Sequence, residues 1–111
     1  MTLISIEEDK KTISSRFRKA VNFAFLEKGD FCIKENPYKT SKSNDFFEYF
    51  KTLNVKTIYL KALGYKTFLR LEALGVEVYF VKDAITYHKI RPNDLISINS
   101  ENAKEFCSLG H

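Results

Sequence analysis

The stretch Leu53 to Lys82, LNVKTIYLKALGYKTFLRLEALGVEVYFVK, constrains this chain more than any other, because its hydrophobic period changes twice. Val55 to Leu60 is a short β-prone run, and Gly64 ends the loop after it. Tyr65 to Leu74 predicts a helix, with Phe68, Leu69, Leu71 and Leu74 on one broad apolar flank and Lys66, Arg70 and Glu72 left for water. Gly75 stands where a helix C′ residue takes a left-handed conformation, and Val76 to Val81 is β-rich again. Two strands joined by a crossover helix need parallel pairing and a right-handed connection. Ligands of open sheets of this type bind beyond the carboxyl ends of the strands, so the loop Lys61–Gly64 is the first place to seek function.

At 111 residues the chain is read as a single domain spanning 1–111 that can bury a core without staples. No apolar run approaches the roughly 18–20 residues that cross a bilayer, so no membrane partner is expected. MTLISIEEDKK has neither a basic leader nor a long apolar segment, which predicts a cytoplasmic protein with Cys32 and Cys107 reduced. The net charge of +4 fits nucleic acid, an anionic small ligand or plain solubility, so the placement of the charges has to decide.

In chain order, Leu3 to Ile6 reads as a strand followed by the charged run Glu7–Lys11. Ser14-Ser15-Arg16-Phe17-Arg18-Lys19-Ala20 is a polar loop with one aromatic. Val21 to Glu27 and Phe31 to Glu35 form a hairpin around a three-residue turn, Lys28-Gly29-Asp30. Asn36-Pro37 breaks the strand. Asp45 to Leu53 reads as a helix, begun by Asp45 with Glu48 in a capping-box-like pattern and followed by Asn54. Asp83 is expected to cap a short helix through Ile90, Leu95 to Ile98 to be an extended piece, and a last helix to run from Glu101 to Cys107, stopped by Gly110. The order implies an α/β chain: a mixed five-stranded sheet, antiparallel hairpin plus parallel crossovers, with helices packed on it.

These residues resemble the dinitrogenase iron–molybdenum cofactor biosynthesis domain family, of the NifX-like type. Ser14–Ala20 resembles the family loop S-x-H-F-G-R-A, and Phe23–Glu27 with Glu35-Asn36-Pro37 resembles its hairpin ending in E-N-P. Val55–Gly64 resembles the strand entering a G-G-x-G loop, and Phe68–Phe80 the pattern A-F-x-x-L-x-x-x-G-I-x-V-Y. Order and spacing carry the resemblance, which spans residues 3–84 and leaves 85–111 as a C-terminal helical extension. It implies a ribonuclease-H-like fold with the first and fourth strands adjacent and parallel. It also implies a non-catalytic carrier in nitrogen fixation, an iron–sulfur or iron–molybdenum cluster precursor as ligand, and metal-cluster assembly proteins as partners. The sequence departs from the pattern at Arg16, where the family has His, at Arg18, where it has Gly, and at Lys61-Ala62-Leu63, where only Gly64 of the G-G-x-G loop remains. A guanidinium has no lone pair for a metal, so the residues point to an altered cluster site or one for another anion.

The candidate anion site comprises Arg16, Arg18, Lys19, Lys61, Gly64 and Lys66, on two loops that open at one edge of the sheet, with a helix N-terminus beside them. The bland alternative is solvated loop charge. Cys107 and His111 have the spacing to share a metal, but two ligands do not make a zinc site, and no metal ligands are assigned. Glu7, Glu8 and Asp9 raise a second function class, a divergent two-metal nuclease, although Ile4, Ser5 and Ile6 occupy the strand where such enzymes carry an Asp. A protein-interaction domain without small ligand is the third. Phe46, Phe47, Tyr49 and Phe50 fall at helical spacing, which favours core packing over stacking on nucleic acid. No catalytic residue is assigned.

Overall fold

The computed structural model describes residues 1–107. Its elements are β1 (Thr2–Ile6), β2 (Asn22–Glu27), β3 (Asp30–Glu35), α1 (Ser43–Lys51), β4 (Thr57–Leu60), α2 (Tyr65–Ala73), β5 (Glu77–Val81), β6 (Leu95–Ile98) and α3 (Ala103–Phe106). The strands form one mixed sheet in the order β3-β2-β1-β4-β5-β6. As the crossover pattern requires, β4 and β5 are parallel, and β1 is the parallel neighbour of β4 with Leu3 opposite Ile58. The remaining pairs, β1–β2, β2–β3 and β5–β6, are antiparallel.

Alternation divides the core between the two faces of the sheet. Leu3, Phe23, Phe25, Ile58, Leu60 and Val78 share one apolar cluster with Phe46 and Phe50 of α1 and Phe68 and Leu71 of α2. Ile4, Ile6, Ala24 and Val81, one residue out of phase, share a second with Ile13, Ala84 and Tyr87. Aromatic rings fill the first. Phe17, from the β1–β2 loop, stands edge-on to Phe46 at 5.2 Å and to Phe50 at 5.6 Å between ring centroids. The rings of α1 that could have stacked on nucleic acid are thereby packed inside: Phe46, Phe47 and Phe50 are buried, and Tyr49 stacks on Tyr38.

Several expectations need correction. The sheet has six strands, because Leu95–Ile98 is a paired edge strand, with Val81 opposite Leu95. The hairpin turn is the two-residue Lys28-Gly29, both at positive φ (52° and 85°) as a type I′ turn demands, so Asp30 already belongs to β3. Helix α1 starts at Ser43 rather than Asp45, with Lys42 at its N-cap and no side-chain cap. Ser43 Oγ and Asn44 Oδ1 instead accept hydrogen bonds from the Arg70 guanidinium of α2, which also lies 4.2 Å from the Phe47 ring centre. Leu69 and Leu74 lie on the exposed side of the α2 region, leaving Phe68 and Leu71 as its buried contacts.

No α-helix forms at 83–90; one short 3-10 turn, Tyr87–Lys89, stands there instead, and a second, Pro92–Asp94, follows it. The backbone of this segment bonds across to the β1–β2 loop: the Ile13 amide donates to the Ile85 carbonyl, and the Tyr87 amide to the Lys11 carbonyl. The C-terminal extension is therefore only partly helical, and the expected last helix is the single turn α3. Gly110 and His111 lie outside the described residues.

Burial fixes a contrast that mutation can check. Phe46→Ala, at a wholly buried ring, should cost about 3–5 kcal/mol in urea unfolding. Leu69→Ala, at a residue 42% exposed, should stay within about 0.5–1 kcal/mol.

Candidate functional site

The carboxyl ends of β1 and β4 meet two loops, residues 7–21 and 61–64, and backbone hydrogen bonds join them. The Ser14 amide donates to the Ser5 carbonyl of β1 (2.8 Å), and the Lys61 amide at the end of β4 donates to the Ser14 carbonyl (3.2 Å). Ser14 is buried, and its hydroxyl accepts the Arg16 amide at 3.0 Å, turning the chain outward so that Arg16 is exposed. Phe17 then returns to the core, which anchors the loop by an aromatic ring on one side and by Ser14 on the other.

The third anchor is Asn36, expected from sequence as a strand breaker and as part of the E-N-P pattern, not as a support of this loop. Its side chain is wholly buried and donates to the carbonyls of Arg18 (2.9 Å) and Ala20 (3.0 Å), while its oxygen accepts the Tyr38 amide. An amide is the side chain that can do this, because a carboxylate could not donate and a hydroxyl could not span both partners. The sequence signal was available: a polar Asn ending a hairpin, directly before Pro, in a stretch otherwise able to face water.

The six residues of the candidate anion site do not share one environment. Arg16, Lys19 and Lys66 are exposed, while Arg18 and Lys61 are half-buried. Arg18 is drawn sideways, its guanidinium donating to the Ser41 carbonyl at 3.2 Å, so part of its function is to tie the loop to the chain leading into α1. Lys66 lies in the first turn of α2, whose N-cap is Gly64 and which has no side-chain cap. Gly64 has φ −72°, a value that any residue adopts, so the backbone there does not demand glycine. Ser5 Oγ, at the end of β1 on the face of Leu3 and Phe23, is buried and has no hydrogen-bond partner among the described residues.

The donor chemistry does not suit direct ligation of a metal cluster. Arg16 offers no lone pair, and among the described residues no three His, Cys, Asp or Glu side chains group to hold a metal ion. Cys32 is exposed on β3 and Cys107 is buried beside α3; both are free thiols, and burial pushes the Cys107 thiol up. His88 stacks on Tyr87 with ring centres 3.9 Å apart.

The acidic run at the exit of β1 forms a turn. The Asp9 carboxylate accepts the amides of Lys11 and Thr12, both at 2.8 Å, and the Thr12 hydroxyl. These bonds, the Thr12 hydroxyl foremost, hold its carboxyl below the ordinary range. Asp9 is thus committed to shaping the loop.

Two residues, Asn36 and Asp9, offer tests of this scaffold. Asn36→Ala strands two carbonyls, so it should lower stability by about 2–4 kcal/mol and speed amide exchange across residues 16–20. Because the Asp9 pKa is depressed in the folded chain, its contribution is present above the unfolded carboxylate value of about 3.9 and lost as pH falls through the lower folded value. An NMR titration should place the Asp9 midpoint below that of an ordinary aspartate, and Asp9→Asn should destabilise at neutral pH but not at pH about 2.

Comparison with known proteins adds the fold and no more. No protein-family model matches the chain, and no curated protein matches it. Its structure is similar to the crystal structure of PH0822, with a TM-score of 0.61 and 20% sequence identity, over 73% of this chain and 76% of that one. At that identity the likeness shows a shared α/β mixed-sheet architecture.

Proposed function

We propose that this chain is a non-catalytic binding or carrier domain that takes an anionic ligand at the carboxyl edge of β1 and β4. One observation carries the reading: the Lys61 amide bonded to the Ser14 carbonyl brings the arginine-bearing loop and the entry to α2 together. Arg16, Lys61 and Lys66 supply positive charge there, and the first amides of α2, which no side chain caps, favour an anion. Arg18 and Lys19 act from the same loop, Arg18 chiefly as its tether to Ser41.

The strand order, with the β2–β3 hairpin beside β1 and two parallel strands beyond it, supports the finer assignment of a ribonuclease-H-like fold. It agrees with the resemblance to the dinitrogenase iron–molybdenum cofactor biosynthesis family. The resemblance implies an iron–sulfur or iron–molybdenum cluster precursor as cargo and metal-cluster assembly proteins as partners. With Arg16 in the place of a ligating imidazole, such cargo would be held by charge and backbone amides rather than by a metal–side-chain bond. Of the three carboxylates on which the nuclease alternative rests, Asp9 is engaged in its own turn by the amides of Lys11 and Thr12, which supports the carrier reading over that alternative.

Thermal unfolding tests the site. An anion that binds only the folded chain stabilises it by about 2.7 kcal/mol at one hundred times its dissociation constant, a rise of about 10 °C for a domain of this size. Phosphate, sulfate and citrate should be titrated at constant ionic strength against wild type and the double variant Arg16→Ala, Lys61→Ala. The expected result is a saturable rise in wild type, most of it lost in the variant. An equal response of both proteins to every anion would leave these residues as solvated charge.

A further inference from the structure

Strand β3 is an edge, and it lies beyond the helix layer: of its six residues only Ile33 is even half-buried. An exposed edge is a template for another strand, and natural edges are usually blunted by shortness, bulges or mismatched charge. This one is regular over its whole length, pairing with β2 from Asp30 to Glu35 without a bulge.

The register shows which backbone groups are unused. The two-residue turn makes Glu27 and Asp30 a hydrogen-bonded pair, and the Asn36 amide donating to the Val21 carbonyl keeps the same parity at the other end. Asp30, Cys32 and Lys34 therefore direct their N–H and C=O groups toward β2, while Phe31, Ile33 and Glu35 direct theirs outward. An antiparallel partner must match outward groups with outward groups, so it pairs residues of equal parity. Between two copies of β3, the register centred on Cys32 sets Phe31 opposite Ile33 twice, each a hydrogen-bonded pair. It sets Asp30 opposite Lys34 twice, and Cys32 opposite itself in a non-hydrogen-bonded position. Every cross-strand pair from Asp30 to Lys34 in that register is complementary in charge or apolarity, and Glu35 falls opposite Gly29 of the turn. Glu27, opposite Asp30 in β2 and on the same face, adds a second carboxylate beside each incoming lysine.

Both faces beside β3 have room for a neighbour. On the helix-bearing face a groove of about 520 Å³ runs between Phe25, Cys32, Tyr49 and Leu53. On the other face Phe31, 42% exposed, borders a groove of about 490 Å³ with Leu26, Tyr59, Tyr87 and His88.

We propose that β3 is a self-complementary edge through which two copies of this chain join about a two-fold axis at Cys32, continuing the sheet from one subunit into the other. The occupant of the edge is a second copy because the charge pattern Asp30–Cys32–Lys34 is its own complement under that rotation. The geometry also places the two Cys32 Cα atoms about 4.5 Å apart, as in any non-hydrogen-bonded antiparallel pair, which lies within disulfide range.

The test uses the whole chain. Light scattering should give twice the 12.9 kDa mass for wild type. Lys34→Asp, which opposes Asp30 with a second carboxylate at both ends, should give a monomer, and Asp30→Lys with Lys34→Asp should restore the dimer. Diamide should link the dimer covalently: two Cys32 thiols form the disulfide, and their two protons and two electrons reduce diamide to its hydrazine. Cys107→Ser should keep this link, whereas Cys32→Ser should lose it while remaining dimeric. A monomeric wild type at high micromolar concentration, a Lys34→Asp protein as dimeric as wild type, failure of the charge swap to restore pairing, or a link that survives Cys32→Ser would each overturn the proposal.

Discussion

The structure depends on the burial of β1 on both faces and along both edges. Leu3, Ile4, Ser5 and Ile6 are all sealed from solvent, with β2 antiparallel on one side and β4 parallel on the other. A strand in that position can be antiparallel to its immediate successor, but it meets β4 in parallel only after the chain has crossed over through α1. The crossover dictates everything above it. It fixes α1 on one face of the sheet and places the aromatic side of that helix over Phe23. It also leaves the 7–21 and 61–64 loops at the same carboxyl edge. The one polar residue among these four sealed positions, Ser5, lies where the strand delivers the chain to those loops.

Much of this was legible because the relevant signals are local. The change from alternating to helical period and back across Leu53–Lys82 identifies β4, α2 and β5, and Gly75 does take the left-handed conformation, with φ 75°. Asn54 does so as well, at 56°. What stayed hidden depended on distant partners. The 83–90 segment has helix-compatible residues, but its amides and carbonyls find residues 11–13 instead, and no window of local sequence can reveal that choice. The start of α1 moved for the same reason, since Arg70 occupies the oxygens of Ser43 and Asn44. Leu95–Ile98 is too short to declare itself a strand without the neighbour that it pairs with.

At the candidate site the legible part was the charge and the illegible part its division of labour. Sequence gathers Arg16, Arg18, Lys19, Lys61 and Lys66 as equals. Structure separates Arg18, whose guanidinium braces the loop through Ser41, from Arg16, which Ser14 turns toward solvent. Asn36 contributes no charge and so escapes any search for a binding residue, yet two of the loop's carbonyls depend on its side-chain amide. A scaffold that holds its loop by a buried amide and an aromatic ring leaves the outward residues free to change chemistry without loss of the fold.

The exchange of backbone bonds between residues 11–13 and 85–87 makes these two segments a single strap across the second face of the sheet. Thr12 and Thr86 form an isolated antiparallel bridge at its centre. Residues 11–13 are also held locally, by the Ile6–Ile13 bridge and the Asp9 turn, whereas residues 85–87 belong to no strand, and detaching either segment strands polar groups of the other. They form one unit of sub-global opening, and its release uncovers Ile13, Ala84 and Tyr87 together. Residues 72 or more positions apart in sequence thus share one local stability, and the underside of the sheet opens as a hatch with two hinges rather than by the fraying of one loop.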